Sequence, residues 1–228
     1  MPSAPRVVLF DIDGTLITFT GPAPGPGRTA LDRAMRDLYR IEQATDEIRV
    51  AGGTDRALAR ALLERAGAPG DDVAIDRVIA SYLAHLAAIV EERAYRAIGD
   101  VTGTVERLSS HACVIGLGTG NVRVGAAIKL ASAGLSATFD LARGGYGCDA
   151  EPRAEILRRA VERCWPGGDC AVVVVGDTDR DVEAGRALGA RIVGVATSDN
   201  ARRELVAAGA DAVVSECGDA LADACLRS

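Results

Sequence analysis

The run Ala171-Val172-Val173-Val174-Val175 most limits what this chain can become. A strand with one wet face alternates apolar and polar residues. A strand that is apolar throughout is buried on both faces, the condition of a parallel sheet covered by helices. Short apolar runs at 7–10, 112–117, 191–195 and 212–214 share this character. Between them lie segments of helical spacing, at 103–109, 121–133, 153–164, 179–188, 201–208 and 219–226, and one weaker strand at 137–141. Such alternation implies right-handed βαβ units. The expected core is α/β, a doubly wound (Rossmann-like) parallel sheet over 1–18 and 98–228.

Residues 19–97 break the pattern. Pro22, Pro24, Pro26 and the glycines among them rule out regular structure over 20–27, leaving a loop or a hinge. Apolar residues then recur at helical spacing over 29–41, over 55–66 and from Asp71 to about 90. The segment reads as an α-helical cap domain inserted just after the first strand.

In such sheets ligands bind at the carboxyl ends of the strands. The first strand ends in Asp11-Ile12-Asp13-Gly14-Thr15, the run at 112–117 in Gly118-Thr119-Gly120-Asn121, and the run at 171–175 in Gly176-Asp177-Thr178-Asp179-Arg180-Asp181. Extended backbone points Asp11 and Asp13 the same way, where two carboxylates repel unless a cation lies between them. Oxygen-only ligands favour Mg²⁺. Asp177 is a candidate metal ligand, and Asp181 either supports it or opens a helix favourably. Thr119 in a glycine-rich turn before a helix suits an anion. Metal-binding carboxylates beside an anion-binding turn describe a phosphate site.

Composition excludes other classes. The net charge of −6 leaves no basic footprint for nucleic acid or an anionic membrane. The apolar runs fall short of membrane-spanning length, and Met1 to Arg6 carries no signal-peptide core. Six cysteines without zinc-type spacing read as reduced thiols, which places the protein in the cytoplasm. His85 and His111 follow no strand and read as surface or helix-packing residues.

The order Asp11-x-Asp13-Gly14-Thr15, Thr119, a basic residue before the fourth strand, then Gly176-Asp177-Thr178-x-x-Asp181 resembles the haloacid dehalogenase-like phosphohydrolase superfamily. The inserted helical cap is similar to that of its phosphoglycolate phosphatase-like branch. The resemblance implies an Mg²⁺-dependent phosphatase acting on a small phosphorylated metabolite through an aspartyl-phosphate, phosphoglycolate among the substrates. It implies Asp11 as nucleophile and Asp13 as general acid and base. Mg²⁺ would sit on Asp11, the Asp13 carbonyl and Asp177, with Asp181 supporting. Thr119, Gly120 and Asn121 would hold the phosphoryl oxygens. The superfamily commonly adds a lysine there, but Lys129, the chain's one lysine, lies well inside the helix after Thr119. Arg153 is therefore the candidate cation, ahead of Arg143 and Arg158. In Gly52-Gly53-Thr54-Asp55-Arg56, either Thr54 and Arg56 face the leaving group, or Thr54 or Asp55 merely caps a helix.

Three other readings compete. A sugar phosphomutase of the same superfamily would lack net phosphate release. A dinucleotide-binding domain finds a partial glycine pattern at 116–121 with Asp140 downstream, but Asn121 stands at its third glycine. A non-catalytic phosphoacceptor domain would lack an early cap.

Overall fold

The computed structural model describes residues 5–46 and 48–227. The reading of the extreme N-terminus as free of a signal sequence falls on residues 1–4, outside that range. Six parallel strands form one sheet: β1 (Arg6–Phe10), β4 (Cys113–Gly118), β5 (Gly144–Gly145), β6 (Ala171–Gly176), β7 (Arg191–Val195) and β8 (Ala212–Val214), in the order β5-β4-β1-β6-β7-β8. In register, Arg6 lies opposite Cys113 and Ala171, and Phe10 opposite Leu117 and Val175. The chain adds β4 and β5 on one side of β1, and β6 to β8 on the other. A crevice therefore opens at the carboxyl end of β1.

The pleat sends successive β1 residues into different cores. Val8 and Phe10 pack with α4 (Val101–Ser110), α5 (Arg123–Ser132) and α9 (Asp219–Leu226). Val7 and Leu9 pack with α6 (Arg153–Cys164), α7 (Asp179–Ala187) and α8 (Asp199–Ala208). Fully burying each such side chain contributes about 1.5–3 kcal/mol. The sheet is thus covered on both faces, as its all-apolar strands require.

The cap holds α1 (Pro26–Tyr39), α2 (Asp55–Arg65) and α3 (Asp72–Glu92). Ile75, Val78, Ile79, Tyr82, Leu86 and Ile89 make the buried stripe of α3. Its length and mean hydropathy of 1.6 are enough to cross a membrane. In the fold that stripe belongs to the apolar core shared with α1 and α2.

Two expectations change. The insertion is not wholly helical, because β2 (Ile17–Phe19) pairs antiparallel with β3 (Tyr95–Ala97) where the chain enters and leaves the cap. Residues 137–141 form no strand. The Asp140 carboxylate accepts from the Ala142 N–H, which bends the chain into a 3₁₀ turn at Leu141–Arg143, and the strand follows as β5.

Candidate active site

Asp11 leaves β1 with its N–H donating to the Val175 carbonyl at 2.9 Å, and its side chain is buried. Gly14 has φ +80°, and a Cβ there would strike the Asp177 carboxylate. Only glycine turns this corner without strain. Thr15 Oγ1 donates to Asp177 Oδ1 at 3.2 Å. After β4, the Thr119 N–H donates to the Gly145 carbonyl at 3.1 Å, and Thr119 Oγ1 accepts from Asn121 Nδ2 at 2.8 Å. After β6, Asp181 Oδ2 accepts from the Thr178 N–H at 3.0 Å and from Thr178 Oγ1 at 2.7 Å, closing a capping box on α7.

Arg153, the first residue of α6, joins these strand ends. Its Nη2 lies 2.9 Å from Asp11 Oδ1 and 2.5 Å from Asp181 Oδ1. The N–H directions are poorly aligned for hydrogen bonds to either oxygen, so these are charge contacts. Nε is buried without a hydrogen-bond partner. Arg143 and Arg158 instead pair with the surface carboxylates of Asp140 and Glu155. Asp140, the acid of the dinucleotide alternative, is an exposed turn cap.

Asp11, Asp177 and Asp181 each offer a carboxylate oxygen within 4.8 Å of the others. Burial pushes the Asp11 carboxyl up to about 6, against the pull of Arg153. Burial and the charges of Asp11 and Asp181 hold Asp177 well above the ordinary range. One guanidinium does not balance three carboxylates. Asp181 Oδ2 is held by Thr178, while its Oδ1 lies against Arg153 without a hydrogen bond. This hard, oxygen-only donor set with excess negative charge fits Mg²⁺.

Sequence reasoning passed over Lys129. Its side chain is buried, and Nζ lies 2.7 Å from Asp13 Oδ2 and 2.6 Å from Asn121 Oδ1. Asn121 Nδ2 also donates to Asp13 Oδ2, at 2.8 Å. Burial alone would lower the lysine pKa, yet Asp13, Tyr82, Tyr95 and Asp55 together raise it well above its ordinary value. The signal was spacing. Gly125 and Lys129 lie four residues apart on the side of α5 that carries buried Ala126 and Leu130, with Asn121 four residues earlier, just ahead of the helix.

The cap motif divides. Thr54 caps α2, its side chain accepting from the Ala57 N–H at 3.2 Å. Arg56 pairs with Asp72 at 2.8 Å and Asp76 at 2.5 Å, on the cap surface. Neither is among the residues that line the cleft beside Asp11. Asp55 does line it. Its N–H donates to the Gly120 carbonyl at 2.9 Å and its Oδ2 accepts from the Val122 N–H at 2.8 Å, fastening the cap to the turn that holds Thr119. Burial raises the Asp55 carboxyl to about 6, with Lys129 pulling it back. The cleft measures about 340 Å³, with apolar walls from Phe19, Leu31, Leu58, Tyr82 and Tyr95 beside Asp11, Asp13, Thr119, Lys129, Arg153 and Asp177.

No protein of curated function matches the sequence. Among solved structures, a hydrolase from Pseudomonas syringae superposes with TM-score 0.69 at 20% identity, covering 92% of this chain and 93% of that one. CbbY from Rhodobacter sphaeroides, solved in complex with phosphate, gives 0.70 at 16%, covering 96% and 99%. A predicted phosphoglycolate phosphatase from Haemophilus somnus 129pt gives 0.62 at 15%, covering 98% and 97%. At these identities the likeness is one of fold. The family model for haloacid dehalogenase-like hydrolases matches residues 5–189, a span that holds the cleft, its carboxylates and both buried cations, and the chain belongs to that family.

Proposed function

We propose that this hydrolase is an Mg²⁺-dependent phosphatase acting on a small phosphorylated metabolite. The observation that carries this reading is Arg153 standing 2.9 Å from Asp11 and 2.5 Å from Asp181 at the floor of the cleft. A guanidinium so placed keeps Asp11 ionised for attack, and its unpartnered Nε remains for a phosphoryl oxygen. Thr119 and the N–H groups of Gly120 and Asn121 accommodate the other oxygens at the start of α5. Asp11 attacks phosphorus, the bond to the leaving oxygen breaks, and Asp13 protonates that oxygen. Asp13 then takes a proton from the water that splits the aspartyl-phosphate. Mg²⁺, held by Asp11, the Asp13 carbonyl and Asp177, would neutralise charge on the phosphoryl group. Asp181 holds Arg153 in place.

Phosphoglycolate-type substrates remain in this reading through the likeness to that branch. All six cysteines are unpaired thiols, which supports a reducing compartment such as the cytoplasm. The test is phosphate release from a panel of phosphorylated metabolites with Mg²⁺, wild type beside Asp11→Asn. The variant is expected to lose about 10⁴-fold or more. Equal turnover by the two proteins overturns the reading, as does a wild type that releases no phosphate from any member.

A further inference from the structure

An ammonium group inside a protein is costly to bury, and it persists where something inside needs it. Lys129 is such a group, with its side chain 7% exposed. Its helix does not call for it. Ala126 and Leu130, on the same buried side of α5, supply the packing. Nζ directs its hydrogen bonds into the cleft, to Asp13 Oδ2 and Asn121 Oδ1. Its remaining side faces the Tyr95 ring, 6.0 Å from the centroid.

These bonds close a triangle. Asn121 receives from Lys129 at its oxygen and gives from its nitrogen to Asp13 Oδ2 and Thr119 Oγ1, both at 2.8 Å. Asp13 Oδ2 therefore takes two donors, one of them charged. Asp13 Oδ1 has no hydrogen-bond partner among the described residues, and the side chain is 43% exposed to the cleft. With one oxygen held, the carboxyl cannot rotate freely about its terminal torsion, which is otherwise broad and two-fold.

We propose that Lys129 is a positioning residue for the reaction. Through Asp13 Oδ2 and Asn121 it fixes the Asp13 carboxyl so that Oδ1 presents to the leaving oxygen, and it locks that geometry to the turn that holds the phosphoryl group. This rests on the phosphatase reading above, in which Asp13 serves the leaving group. A loosened Asp13 harms an ester in proportion to how much its leaving group needs a proton.

The experiment compares Lys129→Met with wild type on two esters, an alkyl phosphate and p-nitrophenyl phosphate, with Mg²⁺. An alkoxide needs the proton and a nitrophenolate hardly does. The variant is expected to lose about 100-fold in kcat on the alkyl ester. On the aryl ester it should lose less than about 10-fold, with KM changed less than about threefold on both. Lys129→Arg keeps the charge and should recover part of the alkyl rate. It also carries the same two-ester comparison if the methionine variant does not fold. Equal losses on the two esters, no loss, or a change confined to KM overturns the proposal. A wild type that hydrolyses neither ester is a different failure, that of the phosphatase reading itself.

Discussion

Arg153 and Lys129 are the two buried cations at the cleft, and they keep unlike company. Arg153 spans two nearly sealed carboxylates, Asp11 and Asp181, with Asp177 alongside. Lys129 meets the half-open Asp13 and a neutral amide oxygen. Around Arg153 three carboxylates face one guanidinium, so negative charge is left over in a dry place. Around Lys129 the ammonium and Asp13 nearly cancel, and Asp55 adds the surplus. Residual charge is thus concentrated where a divalent ion fits. The Asp13 side is held by hydrogen bonds that fix direction.

The hardest test of this contrast is Arg153→Met. It strands Asp11, Asp177 and Asp181 without their guanidinium, and breaking a buried pair costs about 3–5 kcal/mol. We expect a urea midpoint lowered accordingly and no measurable phosphate release. A variant of unchanged stability would show that the two cations do equivalent work.

A middle-sized test reads the Lys129 side by pH. The Asp55 carboxyl is raised from 3.8 to about 6 by burial, so between those values the folded protein binds more protons than the unfolded chain. The contribution of Asp55 to stability therefore falls as pH rises from 4 to 6, by at most about 3 kcal/mol. Asp55→Asn keeps an acceptor for the Val122 N–H and does not ionise. Its stability relative to wild type should climb over that range in urea titrations at pH 4 and pH 7. A flat difference would mean that Lys129 already offsets the burial of Asp55.

The smallest effect belongs to Arg56→Ala. This cation pairs with the exposed carboxylates of Asp72 and Asp76, which is worth about 1 kcal/mol or less. Phosphate release should stay within about twofold of wild type. A tenfold loss would return Arg56 to the substrate, as the sequence suggested.

The core was readable because strand burial leaves an unmistakable residue pattern, and the acids at 11, 13, 177 and 181 sit directly where strands end. Arg153 could be found because it opens a helix just ahead of β6. Lys129 could not be found by inspecting strand ends. It enters the cleft from the middle of α5, ten residues past Thr119, and only the three-dimensional turn of the helix brings it back. Thr54 and Arg56 are ambiguous for the reverse reason. A helix start and a substrate-facing turn use the same residue types, and Thr54 here caps α2 while Arg56 pairs with Asp72 and Asp76. The strand expected at 137–141 failed because Asp140 offered the backbone a nearer partner than the sheet.

The β2–β3 ribbon carries a consequence for chain economy. Phe19 lies opposite Tyr95, so the whole cap departs from and returns to the core at one spot. The sheet's strand order does not pass through the inserted segment. Because the ends already touch, lengthening or shortening the cap changes the closure entropy only with the logarithm of its length. Chain closure therefore constrains the length of the insertion only weakly, while the strand-end carboxylates stay where they are.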